Sequence, residues 1–529
     1  MEKKLQKLPL GRHSFKKIRE NNYLYVDKTK EILELINKGD IYFLSRPRRF
    51  GKSLLVSTLK ELFEGNEELF KDLYIHDKWN WSGTCPVINL NMAKPSRESK
   101  EKFEKTLSHQ IFKIATKNGI SIDKDMPPST NLSDLIEELH DNTGKDVVVL
   151  IDEYDKGILD NISNTDLAIE IRDLLREFYE ALKNSDEYIK FIFITGVTKF
   201  SKASIFSGLN NPDDITLDNN YSTICGYTKG ELRQYFSEYL EDYGEKHDLT
   251  IESLIDIVDE WYDGYSWDGE SFLYNPYSIL SFFKKDKFDN YWFESGTPSF
   301  LIRLIEKNGI IEDDLLKPKI LPSSAFSMFK IKNLNLTTVL MQTGYLTVKN
   351  RREIDRLDEY TLDVPNNEVK ESLFAYLLSI YTGYDNEDIL AIKNEMLRQI
   401  NDLDSERFNN NLNQLLSEIP NLLHQKADDN YYHSIFITWL ITLRFKVDSE
   451  VLTNIGRLDS VLESEKFIAI CEIKHDDKIG HDKLINEALN QIKEKLYYEK
   501  YLKENKRIIL IAIAFHNKQA KTVMEELKV

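Results

Sequence analysis

The segment from Ile41 to Phe63 constrains the fold of this chain more than any other. An apolar run, Ile41 to Leu44, is followed at once by Arg46-Pro47-Arg48-Arg49-Phe50-Gly51-Lys52-Ser53 and then by a helix-forming stretch. A phosphate-binding loop needs a backbone that curls around an anion, a lysine that reaches the outer phosphates, and a hydroxyl that takes one coordination site of Mg²⁺. Gly51, Lys52 and Ser53 supply these in order, and Arg49 and Phe50 complete the candidate nucleotide cradle. Against the pattern G-x-x-x-x-G-K-[ST] there is one departure. Arg46 stands where the first glycine is expected, with Pro47 behind it, so the opening turn of the loop is unusual.

About a hundred residues downstream, Val147-Val148-Val149-Leu150-Ile151 is an uninterrupted aliphatic run of the kind buried parallel strands show, and it ends in Asp152-Glu153. An aspartate at the carboxyl end of such a strand holds Mg²⁺, and the adjacent glutamate is placed to polarise an attacking water. Asp152 is thus the expected metal partner together with Ser53, and Glu153 the expected general base. The competing reading is that two acids cap a strand and start the next helix. A third strand, Phe191 to Ile194, ends in Thr195, either a phosphate or water sensor or a threonine satisfying its own strand end. The stretch from Lys199 to Asn211, with Lys199, Lys202, Ser201, Ser204 and Ser207, is either a loop that reads the terminal phosphate or a solvated connection.

At 529 residues the chain exceeds one core, and about one domain per 150 residues predicts three or four units. A formal charge of −18 argues against a wholly basic nucleic-acid surface and confines any DNA or RNA contact to a local groove. Three cysteines, Cys85, Cys225 and Cys471, lie far apart, which indicates neither a zinc site nor a disulfide framework and fits a reducing cytoplasm. Neither an export signal of the standard kind nor a membrane-spanning run is expected.

Strands alternating with helices predict a parallel sheet covered on both faces over residues 1–225, with Ile224-Cys225-Gly226 as its last strand. Residues 226–365 are expected to form a helical lid with a winged-helix region, including a helix capped by Asn275-Pro276 and a hairpin tip at Asn350 to Glu353. Residues 366–425 are expected as a helical linker and 426–529 as a second α/β domain.

Within that last domain, Gly456 to Leu462 and Lys466 to Lys474 form a predicted hairpin, and strand alternation puts Glu472 and Lys474 on one side. Asp459 and Glu472 would bind Mg²⁺ or Mn²⁺ through hard oxygen ligands, and Lys474 would orient a water or offset developing charge. The competing reading is a surface ion pair. A helix over 429–443, an amphipathic helix bearing Gln491 and Tyr498, and a final strand from Arg507 complete the order.

These residues carry a resemblance. Tyr25-Val26-Asp27-Lys28-Thr29, Arg46 to Ser53, Ile151 to Tyr154, Thr195-Gly196-Val197, Phe206 to Asn211, Gly344-Tyr345-Leu346, Gly456 to Asp459 and Glu472-Ile473-Lys474 make the chain similar to proteins with an amino-terminal AAA-ATPase-like domain fused to a carboxyl-terminal PD-(D/E)XK nuclease-superfamily domain. The resemblance implies an ATPase using ATP and Mg²⁺ and a metal-dependent nuclease fold; DNA is the expected polymer, and a homo-oligomer stays an open reading. The arginine-rich opening of the loop looks usual for such proteins. Only Asp428 or Asp429 stands near the place of a first-helix acid. Two further readings stay open: a nucleotide switch whose second domain binds a partner without cleaving, and an oligomerising signalling ATPase in which Arg48 or Arg49 reaches a neighbour.

Overall fold

The computed structural model describes residues 5–199, 205, 212–296, 318–322, 325–326, 335–417, 439, 442–443, 446–447, 458–464, 466–476, 478–504, 506–516 and 519–528. The chain divides into two compact units, Met1–Val369 and Lys370–Val529.

The first unit is built on a five-stranded, all-parallel sheet of β1 (Ile41–Ser45), β2 (Val87–Asn91), β3 (Val147–Asp152), β4 (Ile189–Gly196) and β5 (Asp213–Asp214), in the order β2-β3-β4-β1-β5. All six residues of β3 are buried, which is what an aliphatic run covered by helices on both sheet faces requires. Parallel strands bring their carboxyl ends to one edge, so the loop after β1 and Asp152 at the end of β3 share a crevice side. The helix Lys52–Phe63 leaves the loop directly and buries Leu55, Val56, Leu59, Leu62 and Phe63 in the core. The helix Thr165–Asn184 is capped by the Asn164 side chain and buries an apolar stripe through Ile171, Leu175, Phe178 and Leu182. A helix over Pro128–Thr143, absent from the sequence reading, starts with proline in its first turn and ends on left-handed Gly144.

Two expectations for the first unit are corrected. The fifth strand is Asp213–Asp214, paired with Tyr42 and Phe43 of β1; Ile224 and Cys225 are buried in bends, with Gly226 at φ 90°. The hairpin of β7 (Thr347–Ile354) and β8 (Leu357–Asp363) turns at Asp355-Arg356, both at positive φ, so Asn350 to Glu353 lie within a strand. With β6 (Lys319–Pro322) these form a three-stranded sheet ordered β6-β8-β7. Asn275 caps the helix Pro276–Lys285 through Tyr277 N and Ser278 N.

The second unit holds helices Asn386–Asn401 and Ser405–Ser417 and a five-stranded sheet ordered β13-β12-β11-β10-β9. Its strands are β9 (Lys446–Val447), β10 (Leu458–Glu463), β11 (Phe467–His475), β12 (Arg507–His516) and β13 (Gln519–Glu526). The helix His481–Glu494 makes the crossover between the parallel pair β11 and β12, burying Leu484, Ile485, Ala488 and Ile492. The strand from Arg507 is not the last, because β13 returns antiparallel along it. The expected helix over 429–443 lies outside the described residues, apart from 439 and 442–443, as do Asp428, Asp429, 200–204 and 206–211. Among the described residues no helix is long and apolar enough to cross a membrane.

Candidate nucleotide and metal sites

The loop between β1 and the helix Lys52–Phe63 is braced from behind. Arg46 is fully buried, donates from Nη1 to the carbonyls of Ser45 and Thr216 (2.9 Å each) and from Nη2 to that of Tyr221 (3.2 Å), and lies 4.0 Å from the ring centre of Trp267. A guanidinium suits this place because its planar fork serves several acceptors while its face stacks on an indole. Burial pushes its pKa down to about 10. Phe50 is equally buried, with edge contacts to Tyr265 and Trp267. The Arg48 carbonyl accepts from Trp292 Nε1 at 3.0 Å. Arg49 at φ 68° and Gly51 at φ 94° bend the backbone through left-handed conformations on either side of Phe50.

On the crevice side, Lys52 Nζ donates to the Arg46 and Pro47 carbonyls at 2.8 Å each, and its burial lowers its pKa against the pull of Asp152 and Glu153. Ser53 Oγ donates to Asp152 Oδ2 at 2.7 Å. Burial raises the Asp152 pKa, offset by the Ser53 hydrogen bond and Lys52. Its Oδ1 is buried and accepts no hydrogen bond among the described residues. Glu153 sits at φ 55° on the wall of a cleft of about 430 Å³, shared with Arg48, Lys52, Ser53, Asn91 and Lys156. Thr195 goes elsewhere. It is fully buried, and its hydroxyl donates to the Leu44 carbonyl at 2.9 Å, stitching β4 to β1.

Asp155 was not singled out from the sequence. Its carboxylate accepts from Thr198 N (2.6 Å), Thr198 Oγ1 (2.7 Å) and Val197 N (3.1 Å), locking the chain after β4 onto the turn after β3. Gly196 permits this closeness, since a Cβ there would meet Tyr154 Cδ1 at 2.5 Å and Asp155 Oδ1 at 2.6 Å. Lys199, at the start of the expected sensing loop, is ion-paired with Asp214.

In the second unit, β10 and β11 pair with Asp459 directly opposite Glu472. The Asp459 side chain lies outside what is described. Glu472 is fully buried, and its Oε1 accepts from Lys474 Nζ at 2.7 Å. The same ammonium donates to Gln491 Oε1 on the crossover helix at 2.5 Å. Glu472, Lys474 and Gln491 therefore form one polar chain between strand and helix, within an otherwise apolar strand. Among the described residues no group of three or more His, Cys, Asp and Glu side chains is gathered as a metal cluster.

Two family models match this chain. One, described as Predicted AAA-ATPase, covers residues 9–206, and one described as PD-(D/E)XK nuclease superfamily covers residues 427–525. A protein of Azotobacter chroococcum mcd 1, named "Uncharacterized protein in vnfD 5'region", is 35% identical over 515 residues, 96% of each chain. The chain belongs to the family that joins an AAA-ATPase-like domain to a PD-(D/E)XK domain. No solved structure matches it. In this AAA-ATPase and PD-(D/E)XK fusion, the residues the sequence reading passed over are those whose partners lie far along the chain. Asp155 stands beside the acid pair and carries no spacing signal, and Trp292 reaches Arg48 across 244 residues.

Proposed function

We propose that the protein binds and hydrolyses ATP at the loop site and that this cycle controls a metal-dependent nuclease centre acting on DNA. The observation that carries the first half is the contact of Ser53 with Asp152. It joins the hydroxyl after the loop lysine to the acid that ends β3, and leaves a buried carboxylate oxygen that accepts no hydrogen bond among the described residues. An oxygen of that kind beside a hydroxyl fits a hard divalent cation. Ser53 and Asp152 would hold Mg²⁺, which when bound offsets phosphate charge. Lys52 binds the outer phosphates, the amide groups at Gly51 and the helix start orient them, and Glu153 accepts the proton of the attacking water. Residues 226–365 act as the lid, because Trp267, Tyr265 and Trp292 already hold the loop. Residues 366–425 serve as the linker.

At the second centre the donor chemistry also fits a hard cation. Glu472 is a buried carboxylate, Asp459 stands opposite it in register, and Lys474 supplies a fixed ammonium. Asp459 and Glu472 would hold Mg²⁺ or Mn²⁺, and Lys474 would stabilise charge on the phosphodiester. Lys52→Ala tests the reading. It is expected to abolish ATP turnover and to change DNA cleavage with it; a variant that hydrolyses ATP at the parental rate rejects the loop assignment. One observation favours a second reading, a domain that binds a partner without cutting: Glu472 is already engaged by Lys474. A parent with no metal-dependent cleavage above background, indistinguishable from Glu472→Gln, would decide for it.

A further inference from the structure

Five Lys and Arg side chains line the cleft beside Glu153, and four have evident holders. Lys52 donates to two loop carbonyls, Arg12 lies 4.8 Å from the ring centre of Tyr23, Arg49 lies 5.0 Å from that of Tyr277, and Lys156 Nζ is 3.1 Å from Asp160 Oδ1. Arg48 differs. Its carbonyl is pinned by Trp292, yet its half-buried guanidinium makes no hydrogen bond or ion pair among the described residues. Arg48 also approaches Lys156 closely enough to disfavour its charge: burial first, and Arg48 next, push the Lys156 pKa down. Two like charges kept at one wall cost free energy unless an anion sits between them.

We propose that Arg48 and Lys156 contact the terminal phosphate of the bound nucleoside triphosphate, so that a single chain supplies the cations a neighbouring subunit's arginine would otherwise provide. This rests on the ATPase reading above. In the reaction the water oxygen forms a bond to the γ-phosphorus and its proton passes to Glu153. The bond from the γ-phosphorus to the bridging oxygen breaks, and its electron pair stays on the diphosphate. Charge grows on the bridging and γ-oxygens, where fixed cations at a low-dielectric wall act most strongly. Lys156 follows Glu153 by three residues, and Arg48 precedes Lys52 by four, so the two motifs each bring one cation to the same wall.

The full-length protein decides this in four forms: parent, Lys52→Ala, Arg48→Gln and Lys156→Gln. ADP affinity, kcat for ATP, and turnover per chain on dilution are measured for each. The expected result is parental turnover that stays constant per chain across dilution, and none in Lys52→Ala. Arg48→Gln and Lys156→Gln are expected to lose about 100-fold in kcat with ADP affinity unchanged. Parental kcat in either glutamine variant, or turnover per chain that rises with concentration, overturns the inference and leaves the ATPase reading standing. A parent without turnover overturns both.

Discussion

At the residue scale the most instructive position is Arg46. The sequence shows only that an arginine replaces the glycine that usually opens such a loop; the structure buries it behind the loop, off the cleft wall. Its guanidinium closes three carbonyl acceptors and stacks on Trp267 instead. Two of those partners lie 170 and 175 residues away, which no local pattern discloses. By contrast Gly51, Lys52, Ser53 and Asp152 were readable because motif spacing and strand ends are local properties. Replacing Arg46 with alanine takes the guanidinium donor from three carbonyls, of which that of Tyr221 keeps the Ile224 N–H, and opens a void under the loop, at about 1–3 kcal/mol for each unsatisfied buried group. The expected outcome is a loss of at least about 3 kcal/mol in the first unit, read by urea unfolding with tryptophan fluorescence. A loss below about 1 kcal/mol would show that the brace is dispensable. Gly196→Ala is expected to weaken nucleotide turnover, because the new methyl drives Asp155 from the backbone it holds; unchanged kcat would contradict that role.

At the element scale, the helix Asn367–Thr382 begins with an acid that the sequence marks as an ordinary first-turn glutamate. Glu368 is fully buried, accepts from Ser278 Oγ at 2.7 Å and from Trp292 N at 2.6 Å, and burial pushes its pKa up to about 8. The unfolded chain releases this proton near 4.5, whereas the folded chain keeps it until about 8. Stability from this group is therefore complete below pH 4.5, declines as pH rises toward 8, and then levels, with roughly 5 kcal/mol as the upper scale. Glu368→Gln keeps one acceptor oxygen and offers an amide that can donate to Ser278. The variant is expected to flatten the fall in melting temperature between pH 5 and 8. An unaltered profile would assign that slope to other groups. Elements with strong periodicity, such as β3 and Thr165–Asn184, could be placed from sequence. The two-residue strand Asp213–Asp214 could not, since two acids at a sheet edge carry no apolar signal and gain strand geometry only by pairing with β1.

At the scale of the whole molecule, two compact units carry the two candidate centres, one in Met1–Val369 and one in Lys370–Val529. Glu472→Gln is expected to remove metal-dependent DNA cleavage while leaving ATP turnover and the melting of the first unit as in the parent. Measuring all three on one preparation checks it, and lost ATP turnover would mean that the centres are energetically inseparable. The order of domain types along the chain was readable from its motifs. The partition into units was less so, because the aromatic residues that hold the loop belong to a stretch with no motif of its own.

The Trp267 indole under Arg46 has a practical consequence for anyone trimming this polypeptide. A fragment ending near residue 225 would retain every motif residue of the loop yet uncover a guanidinium and Phe50 to water, and we expect it to aggregate or bind nucleotide poorly despite its intact signature. The smallest fragment worth expressing reaches past Glu368, because the tryptophan that pins Arg48 is itself tethered there.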